Sequence, residues 1–202
     1  MARPREFDDT VVLDKAVGCF WRRGYQATSV RELADSMEIS GPSLYNAFGD
    51  KRSLFVQALE RYLDGSVRAR IARLEALPPK QAIHTFIAEI IERSLTDRER
   101  RGCFLINSSL EVAPHDAELG AAIAQRLGEI ENFFRRCIAA AQADGSVPAD
   151  RDPADLARLL FGVLVGIRVL ARSKPDRALL EGIARPALAL LDDPKETRTR
   201  DR

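Results

Sequence analysis

Apolar residues recur three and four positions apart along nearly the whole 202-residue chain, and this helical spacing constrains the fold more than any other feature. Val12, Ala16, Cys19 and Phe20 show it first, because they fall on one stripe of a helix. No run of strand length alternates apolar with polar residues. The pattern therefore predicts an all-α protein of about nine helices.

Capping signals divide the first fifty residues into three short helices. Gly24 ends the first helix, and Ser29 with Glu32 fits the S-x-x-E capping box of the second. The third would run from about Ser40 to Phe48, with Pro42 in its first turn, where a missing N–H costs little.

The chain divides near residue 50, because the helices that follow Asp50 are longer than those before it. We expect a first domain over residues 1–50 and a second, helical domain over residues 51–191. Residues 192–202 would form a charged flexible tail.

Charge and length exclude several classes of protein. The 31 Lys and Arg against 30 Asp and Glu argue against a polycationic chromatin coat or a membrane-surface protein. A local basic face suffices for DNA binding, but residues 1–52 carry eight basic and eight acidic side chains, so such a face needs segregation of charge. The most apolar stretch, Leu159 to Ile167, is much shorter than the roughly twenty residues of a membrane span.

Cysteine and histidine spacing gives no metal or cofactor site. Cys19, Cys103 and Cys137 stand far apart, and their odd number, without an apolar leader, predicts a reducing cytoplasm. His84 and His115 lack a second ligand at metal spacing. Because no phosphate-binding glycine loop or nucleophile elbow is present, we predict no cofactor and no enzymatic activity.

The second and third helices, joined by about three residues, describe a helix-turn-helix. In that motif the second helix of the pair enters the major groove and reaches base edges with its N-terminal residues. Leu44 and Phe48 would anchor this helix to the core. Tyr45 and Asn46 would then point outward, where a phenol binds phosphate and an amide binds phosphate or reads a base.

Cations and free N–H groups flank the motif. Lys51 and Arg52 would fall in the first turn of the fourth helix, where cations oppose the helix dipole unless a phosphate lies nearby. Thr28 and the start of the second helix offer N–H groups to a phosphate. Arg3 and Arg5 would lie on an arm able to reach a minor groove. A surface role remains open for each side chain.

One continuous segment, residues 13–59, carries a specific motif: LDKAVGCFWRRGYQATSVRELADSMEISGPSLYNAFGDKRSLFVQAL. Its first half fits F-x-x-x-G-[YF]-x-x-[TS]-[ST]-[VM]-x-x-[IL]-A at Phe20, Gly24, Tyr25, Thr28, Ser29, Val30, Leu33 and Ala34. Residues 41–54 fit G-x-[LF]-Y-x-x-F-x-x-K-x-x-L with one extra residue before Leu44. This quarter of the chain resembles the DNA-binding domain of the TetR family of bacterial regulators. Asn46 departs from the family, which commonly has an aromatic residue or His there, and Gly49-Asp50 precede the lysine.

The resemblance implies a homodimer that binds a near-palindromic double-stranded DNA operator and usually represses transcription. It also implies a DNA-binding domain over residues 1–50 and a helical effector-binding and dimerisation domain over residues 51–191. It suggests DNA-facing residues at Thr28, Arg31, Ser40, Gly41, Pro42, Ser43, Tyr45, Asn46 and Lys51. Base readout would fall to Ser40, Pro42, Ser43 and Asn46.

A helical effector-binding pocket is the second feature that the resemblance implies, for a small molecule of unknown identity. Its candidate residues are Tyr62, Phe86, Ile90, Cys103, Phe104, Asn107, Phe133, Phe134, Phe161 and Arg168. Aromatic residues at helical spacing are also typical of plain core, and that alternative stays open. Arg168, inside an apolar helix, needs a partner: Glu111, a neighbouring subunit's acid, an anionic ligand, or solvent at a pocket mouth.

The segment "LARLLFGVLVGIRVLA" is apolar on nearly all sides, so it needs cover on several sides. Gly162 and Gly166 allow close helix approach. The resemblance implies a dimer interface in which two helices of each subunit form a four-helix bundle. The candidate dimer residues are Leu160, Gly162, Val163, Gly166, Ile167, Leu179, Ile183 and Leu190. A core within one chain explains the same apolarity.

Cys103 follows Gly102 at the expected start of a helix, with Arg98, Arg100 and Arg101 upstream. A helix N-terminus and nearby cations both stabilise a thiolate. Gly-Cys-[LF] at this place resembles a TetR branch that includes sensors of electrophiles and oxidants. The alternative is that Cys103 is a small buried apolar residue.

Three classes of function fit these patterns. The first is a repressor released by a small molecule, an oxidant or an electrophile. The second is an all-helical carrier or enzyme that uses the helix-turn-helix as scaffold, which cations facing apart would favour. The third is a constitutive DNA organiser without an effector, which a packed core without a pocket would favour.

Overall fold

The computed structural model of this protein describes residues 8–192. The predictions for Arg3, Arg5 and the tail from residue 193 onward therefore lie outside the described residues. Within residues 8–192 all regular secondary structure is helical, as the periodicity predicts.

The helices follow one another with short connections. They are α1 (Asp9–Arg23), α2 (Val30–Met37), α3 (Gly41–Phe48), α4 (Lys51–Tyr62), α5 (Ala69–Leu74), α6 (Pro79–Thr96), α7 (Phe104–Glu111), α8 (Ala117–Ala143), α9 (Pro153–Ser173) and α10 (Arg177–Leu188). A π-helical segment, Leu63–Arg68, joins α4 to α5 without a break. Counted as one, these three make nine continuous helices among the described residues, the expected number.

The π-helical segment marks the one place where the predicted fourth helix departs from regular α-geometry. It contains Gly65 and Ser66, two residues that favour an α-helix less than Ala does. Ser66 Oγ donates a hydrogen bond to the carbonyl oxygen of Tyr62 at 2.6 Å. The helix ends at Leu74, a few residues before the predicted end near Leu77.

The chain forms two compact units. The first comprises the chain up to Arg68 together with Asn107–Ala124, and the second comprises Ala69–Ile106 and the chain from Gln125 onward. The sequence boundary near residue 50 does not anticipate the Asn107–Ala124 segment in the first unit.

Aromatic and aliphatic side chains from α1 to α4 form the core of the first unit. Phe20 of α1 meets Phe55 of α4 edge to face, with ring centroids 5.2 Å apart. Leu33, Leu44 and Phe48 are also buried, and burying a side chain of this size contributes about 1.5–3 kcal/mol. Leu44 and Phe48 thus hold one face of α3 and leave the opposite face outward.

Caps at helix ends agree with the sequence. Ser29 and Glu32 form the predicted capping box, in which Ser29 Oγ accepts from the Glu32 N–H and the Glu32 carboxylate accepts from the Ser29 N–H. Ser40 caps α3 and Asp50 caps α4. Asp152 caps α9, with Pro153 in its first turn.

The second unit is built on α6, α8, α9 and α10. Phe86 of α6 packs against Phe133 and Phe134 of α8, with ring centroids 5.2 to 5.7 Å apart among the three rings. Leu160, Leu164 and Ile167 make the buried stripe of α9. No helix within residues 8–192 has the length and apolarity that crossing a membrane requires.

Candidate nucleic-acid interface

The turn between α2 and α3 has the compact geometry of a helix-turn-helix. Glu38 ends α2 in the left-handed conformation (φ 58°), and its N–H bonds back to the carbonyl groups of Ala34 and Asp35. Ser40 then starts α3, its Oγ accepting from the Ser43 N–H at 3.2 Å and sharing a hydrogen bond with Ser43 Oγ at 2.8 Å. These bonds fix the backbone at the start of α3.

The outer face of α3 carries the residues that the sequence places against DNA. Tyr45 is 53% exposed although it is a large aromatic side chain, and Asn46 is exposed beside it. Ser40 and Pro42 are exposed at the start of the helix, and a Cβ at Gly41 would meet no atom within 4 Å. The first turn of α3 is therefore open for close approach by a ligand.

Thr28 is not available as a DNA-binding side chain, which corrects the sequence prediction. It is 1% exposed, and its Oγ1 donates to the carbonyl oxygen of Gly24 at 2.6 Å. The hydroxyl is therefore used inside the loop that precedes α2. Arg31, in the first turn of α2, is by contrast open to solvent, and its Nε lies 3.9 Å from the carboxylate of Asp35.

Lys51 lies half-buried at the start of α4. Its Nζ stands 4.5 Å from the centroid of the Tyr25 ring, a cation–π arrangement. Burial lowers the pKa of the Lys51 ammonium, and the charges of Glu111 and Glu32 oppose that shift. The geometry holds this cation close to the start of α2.

Arg52 is paired with two carboxylates that sequence reasoning missed. Its guanidinium donates to Asp116 at 3.1 and 3.3 Å and to Glu118 at 2.9 Å. Because these acids follow more than sixty positions later, no local spacing signals the contact. The charge of Arg52 is thus neutralised within the first unit, and its guanidinium is not free to bind DNA.

The candidate effector residues are divided between the two compact units. In the second unit Phe86, Phe133 and Phe134 form the ring cluster described above, Ile90, Cys103 and Phe104 are buried, and Phe161 is half-buried. Tyr62 and Asn107 belong to the first unit, where Tyr62 packs edge to face on Trp21 at 4.9 Å.

Arg168 is buried in the second unit and only 3% exposed, so the solvent-exposed alternative for it is wrong. Its Nη1 donates to Ser94 Oγ at 2.8 Å, and its Nη2 donates to the carbonyl oxygen of Gly102. Glu111 is not its partner, since that carboxylate accepts from backbone N–H groups of the first unit. Within residues 8–192 the guanidinium forms no ion pair with a carboxylate.

The candidate dimer residues lie on two faces of the helices. Leu160 and Ile167 are buried in the chain's own core, which removes them from a dimer surface. The remaining six are exposed or half-buried: Gly162, Val163, Gly166, Leu179, Ile183 and Leu190. Sequence reasoning missed the exposed apolar residues Leu159, Val169 and Leu170 of α9, which its apolar pattern could have included.

A separate groove of about 460 Å³ lies between α6 and α10 in the second unit. His84, Ile87, Ile91, Ala184 and Leu188 are among its lining residues, and none of the candidate effector residues is. Among residues 8–192 no cluster of His, Cys, Asp and Glu could hold a metal ion.

Family models match both parts of the chain. Residues 12–58 match the model described as bacterial regulatory proteins, tetR family. Residues 79–186 match the model described as tetracyclin repressor-like, C-terminal domain.

Curated relatives match along nearly the whole length. The chain is 34% identical to the uncharacterized HTH-type transcriptional regulator YezE of Bacillus subtilis (strain 168), over 95% of this chain and 100% of YezE. It is 30% identical to the HTH-type transcriptional repressor ComR of Escherichia coli (strain K12), over 93% of this chain and 90% of ComR.

Solved structures share the fold. A cysteine-substituted form of the TetR family regulator CifR, in complex with 26-base-pair operator DNA, superposes with a TM-score of 0.84 at 34% identity, over 94% of this chain and 100% of that one. The reduced form of Escherichia coli NemR superposes with a TM-score of 0.83 at 17% identity, over 93% and 99%, and shows the fold alone.

The Arg52 pair predicts a pH-dependent loss of stability on replacing Arg52 with Gln. The hydrogen bond from Arg52 is the main reason that the pKa of Asp116 lies below its usual value. Such a carboxyl contributes stability above its unfolded pKa of about 4, and this contribution disappears as the pH falls through the folded pKa. The Arg52→Gln variant should be less stable than wild type at pH 7, and the difference should shrink towards pH 2.

Urea unfolding of both proteins at a series of pH values between 7 and 2 measures this difference. Arg31→Gln is the matched control, because its carboxylate neighbour is distant and both side chains are exposed. Its difference from wild type should be small at every pH. A deficit for Arg52→Gln that stays constant down to pH 2 would contradict the assignment.

Proposed function

The chain belongs to the TetR family of bacterial transcriptional regulators, and from that membership we propose that it is a homodimeric repressor that leaves a palindromic operator when it senses a signal. The observation that supports this most directly is the likeness to CifR, a relative at 34% identity that was solved on operator DNA. The matched relatives are regulators, which supports a protein without enzymatic activity and with a cytoplasmic location. The carrier or enzyme alternative finds no support among them.

The DNA-binding domain that we propose spans residues 1–50. Its reading helix is α3, which presents Ser40, Pro42 and Ser43 from its first turn and Asn46 from its second turn to base edges. Tyr45 would bind a phosphate beside them, with Arg31 and Lys51 contributing charge.

We propose that the dimer forms through the outer face of α9 together with α10. Gly162 and Gly166 lie on this face, and a Cβ at either position would meet nothing within 4 Å. The chain's own packing therefore does not require glycine there, whereas close approach by a second helix would. Exposed Leu159 and Leu170 flank the two glycines and supply apolar area.

The signal that we propose is a small molecule or an oxidant or electrophile, acting in the helical domain of residues 51–191. A specific observation favours Cys103 as the sensing thiol: the buried Arg168 guanidinium binds the carbonyl oxygen of Gly102, the residue before Cys103 at the start of α7. This bond fixes the backbone next to Cys103, at the residue where the thiol would have to be held for sensing. Core packing of Cys103, which is 7% exposed, is the competing role.

Operator binding tests the proposed function. Wild-type dimer should bind a palindromic site upstream of its own gene at least about a thousandfold more tightly than random DNA at physiological salt. Asn46→Ala should weaken operator binding by about 1–3 kcal/mol and spare random DNA, because it removes base readout. Tyr45→Phe should weaken both alike, because it removes a phosphate contact.

Fluorescence anisotropy with labelled duplexes at fixed salt measures both affinities. The matched control is Asn132→Ala, which removes an exposed amide from α8 and should change neither. Equal wild-type affinity for operator and random DNA would overturn the proposal.

Replacing Gly162 or Gly166 with Leu should convert the dimer to monomer while the fold stays as stable as before. A Cβ has room at either position in the isolated chain, and leucine favours a helix by up to about 1 kcal/mol more than glycine. A partner helix packed against the glycine would clash with it.

Sedimentation equilibrium measures the monomer fraction, and thermal unfolding by circular dichroism measures the fold. Gly128→Leu is the matched control, since Gly128 is also a helical glycine with no atom within 4 Å of its Cβ. If the Gly162 and Gly166 variants dimerise as tightly as Gly128→Leu, the dimer lies elsewhere.

Replacing Cys103 with Ser should abolish the release of operator DNA by hydrogen peroxide or an alkylating agent, with operator affinity unchanged in their absence. The physical reason is that serine lacks the nucleophilic thiolate. Cys137→Ser is the control, because burial raises the pKa of the Cys137 thiol to about 11, so that little of it is thiolate near neutral pH. A Cys103→Ser protein that responds in full assigns Cys103 to the core.

A further inference from the structure

The loop that joins α1 to α2 is held from outside by one carboxylate. Glu111, the last residue of α7, accepts the N–H of Gln26 at 2.8 Å through Oε1 and the N–H of Tyr25 at 3.1 Å through Oε2. Two successive backbone N–H groups thus form an anion-binding site, which a side chain 86 positions later along the same unit fills.

Gly24 completes this arrangement. Its φ of 85° lies in the region that favours glycine, and its N–H bonds to the carbonyl oxygen of Phe20 at 2.8 Å. A Cβ at this position would stand 2.5 Å from Glu111 Oε2 and 2.7 Å from Oε1. Any side chain at residue 24 would therefore displace the carboxylate, so the glycine leaves the space that Glu111 occupies.

The loop connects Glu111 to the surfaces that would contact DNA. Gly24 accepts the buried Thr28 hydroxyl at 2.6 Å, immediately before the capped start of α2. The Tyr25 ring packs against Phe55 at 4.7 Å and lies under the Lys51 ammonium at 4.5 Å. The position of this loop therefore sets both the first turn of α2 and the Lys51 cation at the start of α4.

We infer that Glu111 is a positioning residue for DNA binding: its carboxylate fixes the Gly24–Gln26 loop and thereby places α2 and Lys51 for phosphate contact. This inference rests on the proposed function, since it assigns a role within operator binding. Glu111 itself touches backbone N–H groups of its own unit and is not a DNA contact.

Charge alone and a positioning role predict opposite effects of neutralising Glu111 on operator affinity. A carboxylate in a DNA-binding unit repels phosphates, so neutralising it should by charge alone tighten binding to any DNA. A positioning role predicts the opposite for the operator, because only a fraction of molecules would keep the binding geometry once the loop is released.

The test compares Glu111→Gln, Glu111→Asp and Asp64→Asn in the full-length protein. In Glu111→Gln an amide NH₂ faces one of the two N–H donors, and Glu111→Asp keeps the charge but shortens the reach. For both we expect the operator Kd to rise about tenfold or more and the Kd for random DNA to rise as well, because phosphate contacts serve both kinds of DNA. Asp64→Asn removes the same charge from an exposed carboxylate of the first unit that pairs with Arg68, and its operator Kd should stay equal or fall.

Hydrogen exchange on wild-type protein provides a readout that requires no variant to fold. The amides of Tyr25 and Gln26 should be protected in the wild type and should exchange faster in any folded Glu111 variant. Fast exchange at both amides in the wild type would overturn the inference.

The outcomes separate the inference from the proposed function. If Glu111→Gln and Glu111→Asp bind operator as tightly as wild type or more tightly, Glu111 does not position the interface, although wild-type operator preference still supports the repressor. If wild type shows no operator preference, the repressor proposal fails, and the exchange measurement still decides whether the carboxylate holds the loop.

Discussion

Carboxylates from a distant segment complete the helix-turn-helix unit, and the order of that unit depends on them. Glu111 binds the loop before α2, while Asp116 and Glu118 bind Arg52 at the start of α4. DNA-binding surfaces usually need cations, and these three side chains are anions. Their role is therefore to hold the backbone of the loop and to neutralise Arg52. A buried or half-buried carboxylate that accepts charge-assisted or backbone hydrogen bonds can do this without loss of stability.

The zero net charge of residues 1–52 limits how strongly this region can attract DNA. Residues 1–52 have no net charge, and the exposed cation Arg31 and the half-buried cation Lys51 are the described candidates for DNA. Attraction by net charge is therefore weak, and affinity has to come from a well-placed surface. That is the situation in which small displacements of a loop change binding strongly.

Local patterns in the sequence were enough for the helices and their caps. The Ser29–Glu32 capping box and the buried pair Leu44 and Phe48 both follow from spacing within a few residues. The sequence did not show that Thr28 turns inward, that Arg52 pairs with Asp116, or that Leu160 and Ile167 face the core. These depend on which elements meet in three dimensions, and residues more than sixty positions apart leave no periodic signal. The sequence shows that an arginine inside an apolar helix needs a partner. Only the structure shows that the acceptors of Arg168 are a hydroxyl and a carbonyl group.

The Asn107–Ala124 segment has a consequence for any attempt to use the DNA-binding part on its own. Because this stretch belongs to the same compact unit as the first three helices, a fragment cut after Arg68 would carry the reading helix but not the acids that brace it. A chimaera that joins the helix-turn-helix unit of this chain to the sensor domain of another regulator would also need a counterpart of Glu111. The module that can be exchanged is therefore discontinuous in sequence, and a glycine at position 24 is useful only alongside its glutamate.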